Sequence, residues 1–198
     1  GRAELSEAVA GFEIEAGDRF DAGLVVCVET AGLRAVEIDA GNALLWRKNP
    51  YRAEGEVIRD SILSVSGQLN LASGGPGFED VKIEPNKGTT YYRPFDTEDP
   101  NLNRRTVYRF SPRGERMALL DVFDCPDPSS AAPRRSPTTT PLQALSLLNN
   151  AFVLRMADHL AVGVKKDVGE EQVGQQVDRV FKLILGRLAE KDEREPAI

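Results

Sequence analysis

Apolar and polar residues alternate in the first part of the chain. In residues 10–30 the alternation runs around the turn-forming pair Gly17 and Asp18 and ends in the β-branched run at residues 24–28. Alternation at a period of two places side chains on opposite faces of an extended chain, so the pattern predicts two β-strands. We therefore assign residues 1–40 to a β segment, as the end of a preceding or inserted domain, and residues 41–198 to a mainly helical domain.

A helical period replaces the alternation after about residue 50. Pro50 suits the entry of this helix and Gly67 suits its end. The predicted apolar face consists of Ile58, Ser61, Ile62 and Val65. On the other side Leu63 lies among charged residues, which indicates that this side is covered too. Glu56 and Arg59, one turn apart, are predicted partners.

The middle of the chain is predicted to be irregular. Residues 67–103 are crowded with Gly, Pro, Asn and Asp, which predicts repeated turns and a long excursion instead of long elements. Tyr91, Tyr92 and Phe95 have two interpretations: they line a binding surface that stacks on sugar rings, or they pin the loop to the core. Both interpretations stay open at this stage.

A short strand and a short helix are predicted after the excursion. The alternation in residues 103–114 favours a strand. Its faces are Thr106, Tyr108 and Phe110 on one side and Arg105, Val107 and Arg109 on the other. Residues 115–128 then predict a helix that is ended by Pro126 and Pro128.

Two helices are predicted to close the chain. Thr140 before Pro141 is typical of an N-cap, and Gln143 completes a capping box. The pattern continues this helix to about residue 164, with a stripe of Leu145, Leu148, Phe152, Met156 and His159, and with Gln143, Ser146 and Asn150 opposite. A final helix covers about residues 171–188, and the short link before it predicts an antiparallel pair. The fold class is therefore α+β, mainly α-helical.

The composition of the chain mainly argues against certain classes of function. The chain has 198 residues and a net charge of -6, which argues against general nucleic-acid binding. Cys27 and Cys125 are its only cysteines and His159 its only histidine, so we expect no metal site and no cofactor in this chain, and a core role for the histidine. No apolar run reaches the roughly 20 residues of a membrane span, so the chain is expected to be soluble.

Arginines concentrate between residues 104 and 135, where no lysine occurs. Guanidinium groups form planar, bidentate pairs with carboxylate, sulfate or phosphate. The cluster therefore has two interpretations, a pocket for anionic ligand groups or an internal arginine–aspartate network that holds loops together. Asp121, Asp124 and Asp127 lack the spacing of a calcium loop, and we expect them to pair with these arginines.

The join between the arginines and the helix at Pro141 is the most specific candidate. A helix N-terminus offers free amide donors and partial positive charge, and Arg134 and Arg135 lie just before it, so the join suits an anion. In the alternative, Asp124 or Asp127 fills the same place from within the chain. The candidate binding residues are Arg104, Arg105, Tyr108, Asp124, Asp127, Arg134, Arg135, Thr140, Gln143 and Asn149. A predicted structural polar network consists of Arg52, Glu56, Arg59 and Asp60.

Six motifs occur in the order found in one bacterial family. They are NALLWRKNPYRAEGEVIRDSILSVSGQLN, GGPGF, RRTVYRFSPRG, LLDVFDCPD, RRSPTTTPLQALSLLNNAFV and RVFKLILGR. Over about residues 42–187 the chain thereby resembles the planctomycete cytochrome c-associated C-terminal domain, a domain of unknown function (DUF1553). Residues 1–40 do not fit the pattern, and no catalytic residue is established in the family to carry over.

The resemblance implies a setting. It implies a periplasmic or secreted multidomain protein with a haem-binding, cytochrome c-like segment upstream, in polysaccharide-using bacteria. The haem motif is absent from this chain, so haem would belong to that upstream part.

Three functions remain open from the sequence. The first is a non-catalytic module that docks to a partner or to an acidic polysaccharide. The second is a hydrolase or lyase that acts on sulfated or carboxylated sugars through Asp124 or Asp127, and the third is a purely structural domain.

Overall fold

The computed structural model describes residues 37–47 and 51–195, and the two strands predicted over residues 10–30 lie outside this part. Within it, the chain forms six α-helices, one two-stranded sheet and two 3-10 turns, so the mainly helical α+β class is confirmed. The helices are α1 (Gly55–Val65), α2 (Ala118–Val122), α3 (Pro141–Asn149), α4 (Ala151–Val168), α5 (Val173–Leu185) and α6 (Lys191–Arg194). The strands are β1 (Val81–Asn86) and β2 (Thr89–Pro94). None of the helices in the described part is long and apolar enough to cross a membrane.

The core is built where α1, α2 and α4 meet. Its buried cluster consists of Leu63, Leu119, Phe123, Phe152 and Met156, and Ile58 and Ile62 pack against it. The prediction that the side of α1 around Leu63 is covered is therefore confirmed. Burial of such side chains is the main favourable term in folding, at about 1.5–3 kcal/mol for each large apolar residue.

Helix α1 begins later than the sequence predicted. Its first residue is Gly55 instead of the vicinity of Pro50, which lies outside the described residues. A Cβ at Gly55 would lie 3.2 Å from the carbonyl oxygen of Leu120, so the helix start packs directly on the backbone of α2. The helix ends as predicted, because Gly67 adopts a φ of 72°, which terminates the helical turn.

The middle excursion contains a hairpin that the sequence analysis missed. Strands β1 and β2 are antiparallel, with Asn86 opposite Thr89. Lys87 and Gly88 form the two-residue turn, and both have positive φ, 45° and 86°. A two-residue turn of this kind matches the right-handed twist of paired strands, and the Asn-Lys-Gly sequence was its signal. Only Val81 of the hairpin is buried, so little apolar alternation was present to reveal it.

The strand predicted over residues 103–114 is wrong. Residues Thr106–Tyr108 form a 3-10 turn, with isolated bridges to the preceding loop at Arg104 and Arg109 on either side. The turn is held by the carboxylate of Asp60, which accepts from the Thr106 amide at 2.7 Å and from its hydroxyl at 2.6 Å. The residues grouped on one predicted face also separate, because Val107 is 74% exposed whereas the Arg109 side chain is only 3% exposed.

The single helix predicted from residue 141 to about 164 is two helices. Asn150 separates them, with an extended backbone (φ -71°, ψ 127°), and its side chain caps α4 by accepting from the Phe152 amide at 3.0 Å. Because of this break, the predicted apolar stripe does not face the core along its whole length. Leu148 of the stripe is 69% exposed, whereas Gln143, which was predicted on the polar face, is 4% exposed. An asparagine that bonds nearby amides competes with the helical hydrogen bond.

The C-terminal helix pair is present as predicted. Helices α4 and α5 contact each other and are connected by residues 169–172. Gly169 has a φ of 103°, a conformation that a side chain would strain. Helix α5 ends at Gly186 in the left-handed region, which is typical of a C-terminal glycine cap.

Candidate functional site

The join at residues 134–150 is closed by acidic residues of the same chain. The Arg135 guanidinium donates to Glu54 at 2.9 Å and to both oxygens of Glu56 at 2.8 Å. These carboxylates occupy the Arg135 guanidinium, which was one part of the predicted anion site. The structure thus follows the alternative of an internal partner, although the partners are Glu54 and Glu56 instead of Asp124 or Asp127.

Glu56 does not pair with Arg59, so that predicted contact is wrong. Burial alone would raise the pKa of Glu56, but the hydrogen bonds and charge of Arg135 outweigh it and lower the pKa. The thiol of Cys125 donates to Glu56 at 3.6 Å. Burial, and then the negative charge of Glu56, raise the pKa of Cys125 to about 11, so this thiol is held in its unreactive form.

Thr140 and Gln143 form the predicted capping box, and they fix the start of α3. The Gln143 side-chain oxygen accepts from the Thr140 amide at 3.2 Å, and its amide donates to the Val122 carbonyl oxygen at 3.0 Å. Arg52 also donates to this oxygen of Gln143 and to the Thr139 hydroxyl at 2.8 Å. Gln143 therefore ties α3 to the end of α2 and has no free polar group for a ligand.

Asp124 and Asp127 are engaged within their own loops. Asp124 accepts from the backbone amide of Thr138 at 2.7 Å and from its hydroxyl at 2.8 Å, and these bonds lower its pKa. Asp127 accepts from the Ser129 amide at 2.8 Å and from Arg116, and hydrogen bonds from Ser129 are the first cause of its lowered pKa. Both carboxylates are therefore ionised, and their hydrogen bonds hold the loops in which they lie.

The remaining sequence candidates act mainly on the backbone. Arg104 donates to the carbonyl oxygens of Ala72, Gly74 and Pro76, and its guanidinium lies 4.2 Å above the Tyr108 ring. The Tyr108 hydroxyl accepts from the Gly74 amide at 2.9 Å. Arg105 contacts Asp60 at 3.4 Å, Asn149 donates to the Leu145 carbonyl oxygen at 3.1 Å, and Arg134 is exposed. Arg104 and Tyr108 therefore pin the glycine-rich loop.

A cavity of about 240 Å³ lies elsewhere, where the exit of β2 and the following loop meet α1, α2 and the start of α4. The cavity wall includes three arginine or aspartate side chains that are largely buried, an exposed aromatic ring and several core residues. These are Arg59, Asp80, Arg155, Phe95, Asp96, Leu102, Asn103, Met117, Leu119, Asn150 and Phe152. We call this feature the β2–α4 cavity.

Arg59 is a buried guanidinium without an ion pair to any described residue. It donates to the carbonyl oxygens of Leu102 at 2.8 Å and Arg104 at 3.0 Å, and to the Thr106 hydroxyl at 3.2 Å. Burial lowers the pKa of Arg59, and the charges of Asp80 and Asp60 oppose that shift. Its Nε is buried and has no hydrogen-bond acceptor among the described residues. One donor of this buried cation is thus left without a partner among the described residues.

Asp80 presents a complementary acceptor. Its Oδ2 lies 2.7 Å from Nε of Arg109, which also donates to Glu115 at 3.2 Å. All three side chains are largely buried: Asp80 is 12% exposed, Arg109 is 3% exposed and Glu115 is 6% exposed. The second oxygen of Asp80, Oδ1, is buried and accepts no hydrogen bond from the described residues. An oxygen of this kind costs about 1–3 kcal/mol unless another group satisfies it.

Arg155 also lines the cavity. It pairs with Asp96, with an Nε to Oδ2 distance of 3.2 Å and a second contact from Nη2. Its Nη1 is buried and finds no acceptor in the described part of the chain. The guanidinium carbons of Arg155 and Arg59 lie 5.7 Å and 5.4 Å from the centre of the same Phe152 ring. The two unpaired donors are therefore close neighbours of one aromatic side chain.

Sequence reasoning missed most of this cavity. It assigned Arg59 to a structural network and did not select Asp80, Asp96 or Arg155. A signal was present for Arg59, because it precedes the buried Leu63 by four residues and therefore shares its helical face. Asp80 carried no such signal, since its neighbours at the cavity come from other parts of the chain.

The described residues contain no group of three or more His, Cys, Asp and Glu side chains arranged to hold a metal ion. The comparisons with known proteins give one match. A family model described as "PSD1: Protein of unknown function (DUF1553)" matches residues 29–198. No curated protein and no solved structure matches the chain significantly.

Proposed function

The chain belongs to the PSD1 family of proteins of unknown function (DUF1553), and we propose that it is a non-catalytic binding module whose ligand site is the β2–α4 cavity. The observation that carries this proposal is the cavity itself, whose wall brings together the charged residues Arg59, Asp80 and Arg155 from separate parts of the chain. A concave site with apolar walls and a few convergent charged groups is the usual form of a ligand site.

The size and chemistry of the cavity fit a small polar group. Its volume of about 240 Å³ lies below the roughly 300–1,000 Å³ of sites for drug-sized ligands. Arg59, Asp80, Asp96 and Arg155 are the charged residues of its wall, and core residues such as Leu119 and Phe152 supply apolar walls. A binding module that takes one unit of a larger partner or polysaccharide requires no more than this.

The biological setting is part of the proposal. We propose that this module is part of a periplasmic or secreted multidomain bacterial protein, with a haem-binding, cytochrome c-like segment upstream, a setting that the family resemblance favours. In that arrangement the β2–α4 cavity docks the haem-bearing protein to a polysaccharide or to a protein partner. The sequence analysis expected the polysaccharide to be acidic because of arginines such as Arg104 and Arg135, but both already bind groups of this chain.

The arginine cluster itself has a structural role in this proposal. Arg104, Arg105, Arg116 and Arg135 each contact an acidic side chain or a carbonyl oxygen of the chain. The hydrolase alternative depends on Asp124 and Asp127, and loop hydrogen bonds engage both carboxylates. The proposal therefore separates a scaffold, around residues 104–143, from a binding site at the β2–α4 cavity.

Affinity electrophoresis through gels that contain different polysaccharides tests the proposal. Arg155→Lys keeps the charge but removes the planar guanidinium group that lines the cavity, so we expect it to lose the retardation of the wild-type protein. Arg134→Lys is the matched control, because Arg134 is exposed at the join and makes no hydrogen bond or ion pair with the described residues. Loss of retardation in Arg134→Lys alone would return the site to the join, and no retardation of the wild type by any polysaccharide would refute polysaccharide docking.

A further inference from the structure

We propose that the outer face of α3 is the interface of a homodimer, in which the α3 helices of two copies of this chain pack against each other. This face consists of Leu142, Ala144, Leu145 and Leu148, all of which are exposed, and we call it the α3 face. It shares no residue with the wall of the β2–α4 cavity. The inference therefore goes beyond the proposed function and does not depend on it.

Helix α3 turns a polar side chain inward and apolar side chains outward. Gln143 is 4% exposed, whereas Leu142, Leu145 and Leu148 are 59%, 53% and 69% exposed. At about 100° per residue, Leu145 and Leu148 lie within about 40° of the direction opposite to Gln143. A surface helix ordinarily turns its apolar stripe towards the core, so α3 has the reverse polarity.

The three leucines form one continuous surface. Residues three positions apart are neighbours on one side of a helix, so Leu145 lies next to both Leu142 and Leu148. A continuous apolar surface that is exposed on a folded chain usually marks a contact with another molecule. The outer side of a helix is convex, so it suits a second helix better than a small molecule, which requires a concave site.

The α3 face is free of charge. Residues 136–154 contain no Asp, Glu, Lys or Arg, although these four residue types make up 28% of the chain. At the border of the face, the Asn149 amide donates to the Leu145 carbonyl oxygen of its own helix at 3.1 Å. A helix that lies on a membrane surface carries Lys or Arg beside its apolar side, and α3 has neither. The occupant of this face is therefore an uncharged protein surface.

The charge distribution favours a second copy of this chain as that occupant. In a twofold interface the same patch of both copies meets, so a charged residue near the axis would face its like. Contacts between different proteins are free of this restriction and commonly use opposite charges. The chain has a net charge of -6, so two copies repel each other over much of their surface and can approach closely at the uncharged α3 face. Ala144, a small residue beside the leucines, leaves room for a leucine of the second copy.

Sedimentation velocity of the full chain tests the inference, at protein concentrations from about 1 μM to about 1 mM. We expect the wild type to change from monomer to dimer with rising concentration, and high salt to strengthen the dimer because it screens the net charge. Leu148→Glu sets two like charges against each other, and should raise the dissociation constant at least about tenfold. Val162→Glu is the matched control, since Val162 of α4 is 67% exposed and should leave the dimer unchanged.

Each outcome supports or overturns the dimer, provided that circular dichroism shows the variants to be folded. A monomer over the whole concentration range would overturn the inference. A dimer that Leu148→Glu leaves intact, or that Val162→Glu weakens equally, would place the contact elsewhere and overturn it too. A dimer that weakens in high salt would contradict an uncharged contact. The gel retardation experiment with Arg155→Lys tests the cavity separately, so either proposal can fail without the other.

Discussion

Arg109 holds one oxygen of Asp80 at 2.7 Å and leaves the other oxygen of that carboxylate unpaired beside the β2–α4 cavity. The same guanidinium binds Glu115 at 3.2 Å. One buried cation therefore compensates two buried carboxylates and fixes the orientation of the one that lines the cavity. The proposed site depends on this relationship, although Arg109 itself does not line the cavity.

Replacement of Arg109 tests that relationship. Arg109→Met removes the ion pairs of both Asp80 and Glu115 while their carboxylates stay buried, which costs about 3–5 kcal/mol. We expect urea denaturation to show a loss of that order in the free energy of unfolding. Arg113→Met is the control, because Arg113 is exposed, and its effect should stay within about 0.5 kcal/mol. Equal effects of the two changes would contradict the role given to Arg109.

Arg135 is expected to act in stability and not in ligand binding. Its bidentate contact with Glu56 and its contact with Glu54 are partly exposed, so Arg135→Ala should lower the free energy of unfolding by about 0.5–1 kcal/mol. Differential scanning calorimetry measures the shift in Tm, and Arg134→Ala provides the control at the neighbouring position. A loss of ligand binding in Arg135→Ala at unchanged Tm would instead restore the join as the site.

Cys125 is expected to be a slow nucleophile. At pH 8 a pKa of about 11 instead of 9.0 reduces the thiolate fraction by about 100-fold, so alkylation by iodoacetamide should be slower in the folded than in the urea-unfolded protein. A Cys27→Ser background leaves a single thiol. Glu56→Gln removes the negative charge that contributes to the raised pKa, and should therefore increase the rate in the folded protein. An unchanged rate in Glu56→Gln would show that burial alone controls the thiol.

Gly77 is expected to tolerate no side chain. A Cβ there would lie 2.7 Å from the carbonyl oxygen of Tyr108, at the point where the loop pairs with residues 108–110. Gly77→Ala must displace this backbone, at a cost of about 1–3 kcal/mol in the free energy of unfolding. At Gly41 a Cβ meets nothing within 4 Å, so Gly41→Ala is a control with little effect. Thermal unfolding of the two variants tests this difference. Similar Tm values would contradict the close contact between Gly77 and the Tyr108 carbonyl oxygen.

The fold was predictable where local signals and burial agree. Thr140, Pro141 and Gln143 marked the start of α3, and Gly67 marked the end of α1, because caps depend on neighbouring residues. The break at Asn150 was missed because a helical period continues through it. Its cause is the bond from Asn150 to the Phe152 amide, which competes with helix continuation.

The site was less predictable, because long-range contacts decide it. The sequence indicated that Arg104 and Arg135 belong to one cluster, but it did not reveal what they bind. Arg104 binds the carbonyl oxygen of Gly74, among others, and Arg135 binds the side chain of Glu56. The Arg59 position on the core side of α1 could be inferred from its spacing to Leu63. That Asp80 and Arg155 meet it at one cavity depends on how the loop after β2 packs on α4, which residue spacing along the chain does not reveal.

The most direct measurement of the central claim is a map of ligand-induced amide shifts in ¹H–¹⁵N NMR spectra, during titration with a fragment of a retained polysaccharide. We predict that the shifted amides cluster at the β2–α4 cavity, at Phe95, Leu102, Asn103 and Phe152. The amides of Arg135, Thr138 and Gln143 at the join should keep their positions. Shifts confined to the join, or to a surface away from the cavity, would contradict the account.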